Sequence, residues 1–317
     1  MSLEKYRAIV RDQQRKIDRL VRNRGVVPVR QAFEEIMRDL VAALSNLPPG
    51  FDQTVKMGML AQVRAMMARF ISTGAGAMAQ GSAAAMTEAA SQAFMLLAQM
   101  EHQLVGAVVP LPVNEIAILK RATPRASSLL SVHRRSLSRY SASMVMQIET
   151  EAAHGLARGE TTHQIIDRVQ ATADNEWYQA ERIVRTEVAY AYNASHRDAI
   201  EAESEAFDGD VWSQWSEHVS EDGAPLDDRV CVDSLAMHGQ VARTGQVFHQ
   251  PPTSPTPDSK GRTDVPRQLV GMTWEHPPNR PNDRSTLVPW RPHWNVPGWL
   301  WRDGERVDAR NLARRAA

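Results

Sequence analysis

Cysteine is almost absent from this chain of 317 residues: Cys231 stands alone. That excludes an internal disulfide framework and any zinc site built from several thiolates, and it suits a protein folded in a reducing cytoplasm. Net charge is absent too, with 37 basic residues against 37 acidic ones. No global field holds such a chain on DNA or an anionic membrane, so any nucleic-acid contact is local. Long apolar runs are also missing. The longest stretch free of charge, Phe70 to Thr87, is mainly Ala, Gly, Ser, Thr and Met, far less apolar than the roughly 20 residues of a membrane span, so no membrane contact is expected. The N-terminus is charged from its fourth residue and shows no apolar segment with a cleavage site, so no secretion signal is expected. Catalytic signatures are lacking as well: there is no Gly-rich phosphate loop, no His-Glu-x-x-His and no Gly-x-Ser-x-Gly.

What is present changes character near residue 205. Before it, Ala, Met, Leu, Gln and Arg recur at helical spacing; after it come prolines, short apolar runs and all of the eight tryptophans except Trp177. One helix is marked by Leu3, Ile9, Val10, Ile17, Leu20 and Val21, a second by Val29, Phe33, Ile36, Leu40, Val41 and Leu44, ended by Pro48-Pro49-Gly50. A long helix starts at Asp52, and its stretch Gly74 to Ala90 is Ala-rich with glycines at 74, 76 and 81. Such small side chains let a neighbouring helix approach the backbone closely, although each glycine also weakens the helix, so a kink is the alternative. Pro110 and Pro112 stop this run; helical spacing resumes near Leu129, and Thr161 or Thr162 caps a short helix containing Ile165, Ile166 and Val169. The first helix carries eight Lys and Arg against three Asp and Glu up to Arg24. That excess suits a solvated or protein-docking face, or a contact with a phosphate backbone.

The last long helix, about Asn175 to Glu203, puts Ile183, Val184, Val188, Ala191 and Tyr192 on one stripe, with Arg185, Glu187, Asn193 and Arg197 on its flanks. Arg185 and Glu187, two apart, cannot face each other, so each needs another partner: an ion contact on the helix surface, or a reach into the following domain. A fixed order follows: a strand candidate with Trp212 and Trp215, an acidic turn Asp227-Asp228-Arg229-Val230-Cys231, His238-Gly239, Val247-Phe248, a long polar loop, and His276-Pro277 through Asp283-Arg284 into Leu287-Val288-Pro289-Trp290.

This order resembles the phage Mu F-like head morphogenesis family, whose members present a Gly-Leu-x-x-Gly approach, an Arg-Thr-Glu helix, a Trp strand, an Asp-x-Arg-x-Cys turn and a His-Pro loop ending near an arginine. The matching segment spans roughly residues 150 to 292, nearly half the chain. Carried over position by position, the resemblance marks Arg185, Thr186, Glu187, Trp215, Asp228, Arg229, Cys231, His276, Pro277 and Arg284 as structural residues. Many members carry a second cysteine after the turn and a Cys-Arg-Cys ending to the loop. Here Ser234 stands in the first place and Asp283-Arg284-Ser285 in the second, and in strict register Arg280-Pro281 takes the place of the His-Pro. A substitute metal site can be drawn from Cys231, His238, His276 and Asp283, since imidazole and carboxylate are legitimate ligands. In the other reading His276 caps a turn while Asp283 and Arg284 tie the loop to the Asp227 to Arg229 turn.

The expectation is an α+β protein: a mostly antiparallel helical domain over 1-175, then a small Mu F-like α+β domain with short antiparallel strands and a C-terminal tail over 176-317. The resemblance implies a minor head protein, not an enzyme, without cofactor. Its partners would be the portal protein, the major capsid or scaffolding protein, or both, its place the head interior of the virion after assembly in the host cytoplasm, and it would be ejected with the DNA in some cases. Trp290, Trp294, Trp299 and Trp301 offer interface anchors or a domain core. The alternative is a metal- or His-dependent hydrolase or nuclease, or a toxin-related enzyme, drawing on His218, His238, His249 and His276 with nearby aspartates; the tail after Trp290 is too short for a toxin domain.

Overall fold

The structure is a computed structural model that describes residues 3–45, 53–106, 133–148, 150–151, 154–155, 158, 160–207, 209–220, 224–226, 228, 230–281 and 283–314. It is an α+β protein with small antiparallel sheets. Helix α1 (Leu3–Leu20) passes through a π-helical turn (Val21–Val26) into α2 (Val27–Ser45). Then come α3 (Gln53–Val105), α4 (133–148) and α5 (Thr162–Ala206). The rest of the chain holds β1 (Trp212–Ser216), α6 (Val232–Met237), β2 (Val241–Ala242), β3 (Phe248–His249), β4 (Thr273–Trp274), β5 (Thr286–Trp290), β6 (Trp299–Arg302), β7 (Glu305–Asp308) and α7 (Ala309–Arg314). The Pro110 and Pro112 stop and the Pro48-Pro49-Gly50 end lie outside the described residues. Among the described residues no helix is long and apolar enough to cross a membrane.

By packing, the chain divides into two units whose residues interleave along the sequence. Of the described residues, those within 21–82 and 126–188 form a helical unit, and those within 1–20, 83–125 and 189–317 form a unit that contains every described strand. The boundary expected at 175 falls inside α5, which runs unbroken from Thr162 to Ala206. Its start is fixed by a capping box: the Gln164 N–H donates to Thr161 Oγ1 while the Thr161 N–H donates to Gln164 Oε1.

The helical unit is centred on aromatic contacts. Phe33 meets Phe70 edge-on and Trp177 at a tilt, both with ring centroids 5.3 Å apart, and Tyr140 closes on Phe70 from α4. Ile36, Leu40, Val63, Met67, Leu137 and Val184 are buried in the same unit. Where the sequence suggests one helix ending and a second following, the backbone stays helical and widens into the π turn. Pro28 supplies the reason, because it has no N–H to give to the Arg24 carbonyl four residues back. That carbonyl comes so close to Gly81 of α3 that a Cβ there would lie 2.1 Å from its oxygen, while Gly25 nestles against Val184 and Val188 of α5. The glycines of α3 therefore do different work: at Gly81 the backbone approach is real and the helix runs on through it, whereas a Cβ at Gly76 meets nothing within 4 Å.

In the second unit β1 is central, with β2 on one side and β5 on the other, both antiparallel. The β1–β5 register runs from Trp212 opposite Trp290 to Ser216 opposite Thr286. Trp215, Trp290 and Trp294 are fully buried with Val211, Trp212, Phe248, Leu287 and Val288, so these tryptophans make the core; Trp299 and Trp301 of the β6–β7 hairpin stay half-buried. Helix α1 packs into this unit, not the helical one. The Tyr6 hydroxyl donates to Gln214, and Gln14 Nε2 donates to Ser216 Oγ at 3.4 Å. Gln13 Nε2 donates to the Tyr192 hydroxyl at 2.6 Å.

The two glycines of α3 give opposite expectations in denaturant unfolding. Gly81→Ala forces backbone apart and should destabilise by about 1–3 kcal/mol, whereas Gly76→Ala should stabilise by up to roughly 1 kcal/mol through helix propensity alone. Equal effects of the two substitutions would refute the close approach at Arg24.

Candidate functional site

The Arg-Thr-Glu stretch of α5 looks into the helical unit. Arg185 pairs with Glu181 one turn earlier at 2.7 Å, the Thr186 hydroxyl donates to the Arg182 carbonyl at 2.7 Å, and Glu187 accepts from Ser136 Oγ of α4 at 3.2 Å. Burial raises the Glu187 carboxyl above its ordinary range. Arg185 thus takes the helix-surface alternative, and Glu187 an interhelical one. The residues of α5 that engage the strand-bearing segment lie about two and three turns further on. Asn193, fully buried, accepts from the Leu287 N–H at 3.0 Å and the Thr286 hydroxyl at 3.1 Å, and donates to the carbonyls of Ser285 and Ala189. Arg197 donates to the carbonyls of Gln246 and Glu275 while pairing with Glu201.

Behind β5 lies a buried polar cluster. Glu217 follows β1 directly, Asp233 and Ser234 sit in the first turn of α6, and Asn279, Arg280, Asp283 and Ser285 come from the loop that leads into β5. Arg280 Nε lies 3.0 Å from Asp233 Oδ2 and 3.4 Å from Ser234 Oγ. Asp283 Oδ1 accepts from the Ser285 N–H at 2.9 Å and from Ser234 Oγ at 3.4 Å, and Asp283 Oδ2 accepts from the Asn279 N–H at 3.0 Å. Ser285 Oγ stands between two carboxyls, 2.6 Å from Asp283 Oδ1 and 2.7 Å from Glu217 Oε2. Three positions at which the resembled family carries thiols, Ser234, Asp283 and Ser285, thus form one hydrogen-bonded group. The fourth, Cys231, precedes α6 half-buried beside Arg280.

The residues proposed above as a metal set go separate ways. His238 Nδ1 accepts from the Glu217 N–H at 3.1 Å. His276 Nδ1 lies 2.6 Å from the Pro277 carbonyl, and its ring meets Tyr190 edge-on at 4.5 Å. Asp283 holds the two serines and Asn279. Among the described residues no three His, Cys, Asp or Glu side chains are grouped to hold a metal ion, and none of the four is placed as a metal ligand. Pro277 is buried, Asp228 lies exposed on its turn, Arg284 is half-buried, and Arg229 is outside the described residues, as is Asp227, the other end of the turn that Asp283 and Arg284 were expected to reach.

The electrostatics suit bracing. Burial, with the Asp283 charge second, pushes the Glu217 carboxyl up to about 7; burial likewise raises the Asp233 carboxyl, against the pull of Arg280, and raises the Cys231 thiol away from nucleophilic thiolate. Burial lowers His238 to about 4, so it is a neutral acceptor at neutral pH.

One arrangement elsewhere has the outline of a catalytic relay, with Ser82 Oγ 3.0 Å from His133 Nε2 and His133 Nδ1 3.7 Å from Glu187. Sequence reading missed it because its members come from three helices. Ser82 and His133 are fully buried, and Ser82 lies mid-helix, where neighbouring N–H groups are committed to the helix and cannot stabilise an oxyanion. It is an interhelical hydrogen bond. A shallow groove of about 260 Å³, lined by Gln240, Val241, Gln246, His249, Leu300 and Trp301 among others, involves no motif residue.

Comparison with protein-family models, curated proteins and solved structures finds no match.

Asn193→Ala leaves the buried Leu287 N–H and Ser285 carbonyl without these partners and should lower stability by about 2–4 kcal/mol. Arg185→Ala removes only a half-exposed pair within one helix and should change it by less than about 0.5 kcal/mol. Chemical denaturation of both variants checks the contrast. Separately, purified protein should contain no stoichiometric zinc, and prolonged chelation should leave the melting temperature unchanged.

Proposed function

We propose that this chain is a minor head protein of a tailed bacteriophage, of the Mu F-like kind, acting as a structural adaptor on the portal or the inner capsid wall during head assembly. The observation that carries this reading is the use made of the polar residues in the resembling segment. Asn193, Arg197, Glu217, Ser234, Arg280, Asp283 and Ser285 are tied to one another or to backbone, and they brace the loop before β5 against β1, α5 and α6. A site for chemistry would gather such groups around an open cleft. The order of the Arg-Thr-Glu helix, Trp strand, Cys turn and His-Pro loop supports the family assignment, and the described helices give no membrane span that would argue against a place inside a particle.

On this reading the outward surfaces make the contacts. The half-buried edges of Trp299 and Trp301 supply apolar area, and the exposed cations of α1, Lys5, Arg15 and Arg19 among them, supply a face for protein or for packaged DNA. The chain should co-purify with portal or scaffolding protein when they are co-expressed, and it should appear at the portal vertex or inner wall of intact heads by cryo-electron microscopy. Absence from purified particles, or hydrolytic turnover by the isolated chain, would overturn the proposal. Salt-sensitive retention on DNA without any affinity for head proteins would favour a DNA-organising role instead.

A further inference from the structure

The buried cluster behind β5 contains a hydrogen-counting constraint. Ser285 Oγ carries one hydrogen, yet it lies within 2.7 Å of an oxygen of each of two carboxyls, Glu217 and Asp283. A hydroxyl donates once, and an ionised carboxylate only accepts. One of the two carboxyls must therefore bring its own proton. Asp283 Oδ1 already accepts the Ser285 N–H at 2.9 Å and lies 3.4 Å from Ser234 Oγ, and Asp283 Oδ2 accepts the Asn279 N–H at 3.0 Å, so Asp283 is arranged as the anion. Among the described residues Glu217 Oε1 accepts from the His218 N–H at 2.7 Å, and Oε2 faces Ser285 as the proton-bearing oxygen.

We propose that Glu217 is held as a neutral carboxylic acid donating to Ser285, which in turn donates to Asp283, and that this single bound proton fastens the loop 279–285 to the end of β1. Withdrawing it leaves two anions facing one hydroxyl in a site closed to water, and the loop loosens. The fastening is a pH-sensitive latch, distinct from the assembly role proposed above.

The surrounding charges set where the latch works. Asp283 and Arg280 face Glu217 from the loop, Asp233 lies beyond Arg280 on α6, His238 at the end of α6 accepts the Glu217 N–H, and the neighbouring His218 has Nε2 3.6 Å from Asp18 of α1. Burial first and Asp283 second push the Glu217 carboxyl from an ordinary 4.5 up to about 7. The folded-state value is the raised one, so the contribution is complete below about 4.5 and is lost as pH rises through about 7. Between those limits the loop's opening equilibrium should grow about tenfold per pH unit and then level off.

Hydrogen exchange on the full chain reads this directly. Protection factors of the Asn279 and Ser285 amides, corrected for the intrinsic pH dependence of exchange, should fall about tenfold per pH unit from about pH 5 to 7 and flatten above. In Glu217→Gln the side-chain amide replaces the carboxyl O–H as permanent donor while its oxygen still accepts from His218. Protection should then stay high and independent of pH. Infrared difference spectra give a second readout that survives partial unfolding of any variant. At about pH 6 the native protein should show a neutral carboxylic C=O band that is absent from Glu217→Gln; the Glu203 carboxyl, which burial raises to about 8, contributes equally to both proteins and cancels. Parallel pH dependence in the native and Glu217→Gln chains, or no difference band between them, overturns the proposal.

Discussion

The free edge of β5 is the constraint that orders the strand-bearing unit. β5 pairs with β1 along one side only, and its other side turns into the protein interior, where unpaired backbone groups are expensive. Asn193 resolves this by presenting an amide to an amide: its carboxamide oxygen takes the Leu287 N–H and its nitrogen gives to the Ser285 carbonyl, as a neighbouring strand would. Two residues on, the next position on that edge is Pro289, which has no N–H to satisfy, so one helical side chain suffices. The position of Asn193 on α5 thereby dictates where β5 begins. Arg197, one turn later, holds the Gln246 and Glu275 carbonyls from the same helix.

With β5 fixed, the loop before it has nowhere to go but onto α6 and β1, and it carries charge into that space. Burying an unpaired ion is strongly unfavourable, so the cluster closes only because each group has a partner of a definite kind. Arg280 meets Asp233, Asp283 meets two serine hydroxyls and two backbone N–H groups, and Glu217 meets Ser285 and its own neighbour's N–H. The network does not have to add much net stability to matter. Its effect is to make one loop conformation far better than its neighbours, because any shift leaves a buried polar group unsatisfied.

Much of this architecture was legible in the residues. Helical periodicity located the helices, a cap was visible at Thr161 or Thr162, and the small residues around Gly81 allowed either a close backbone approach or a kink. The change of composition near 205 marked where strands and tryptophans begin. Other features were hidden for physical reasons. An Asn on the flank of an amphipathic stripe looks like a solvated residue until the strand edge it caps is known, so Asn193 did not stand out beside the charged Arg185 and Glu187. The widening at Val21–Val26 goes with the close approach of the Arg24 carbonyl to Gly81 of another helix, a coincidence that no local window contains. The interleaving of the two units is likewise non-local, since α1 finds its partners some two hundred residues away.

The placement of α1 shows how such a distant contact can still be specific. Its buried face is half apolar, with Ile9, Val10 and Ile17, and half hydrogen-bonding, with Tyr6, Gln13 and Gln14. An apolar stripe alone tolerates a slide of one turn, because one methyl-lined surface resembles the next. The polar groups remove that freedom. Tyr6 and Gln14 are eight residues apart on the helix, while their partners Gln214 and Ser216 are only two apart on β1, and helix and strand advance by different amounts per residue. Both bonds form together at one register and one crossing direction. Gln13 adds a third fixed point at Tyr192 of α5, the helix that also carries Asn193. The first helix and the edge of β5 are thus referred to the same element, so the beginning of the chain is positioned by the same helix that terminates its sheet.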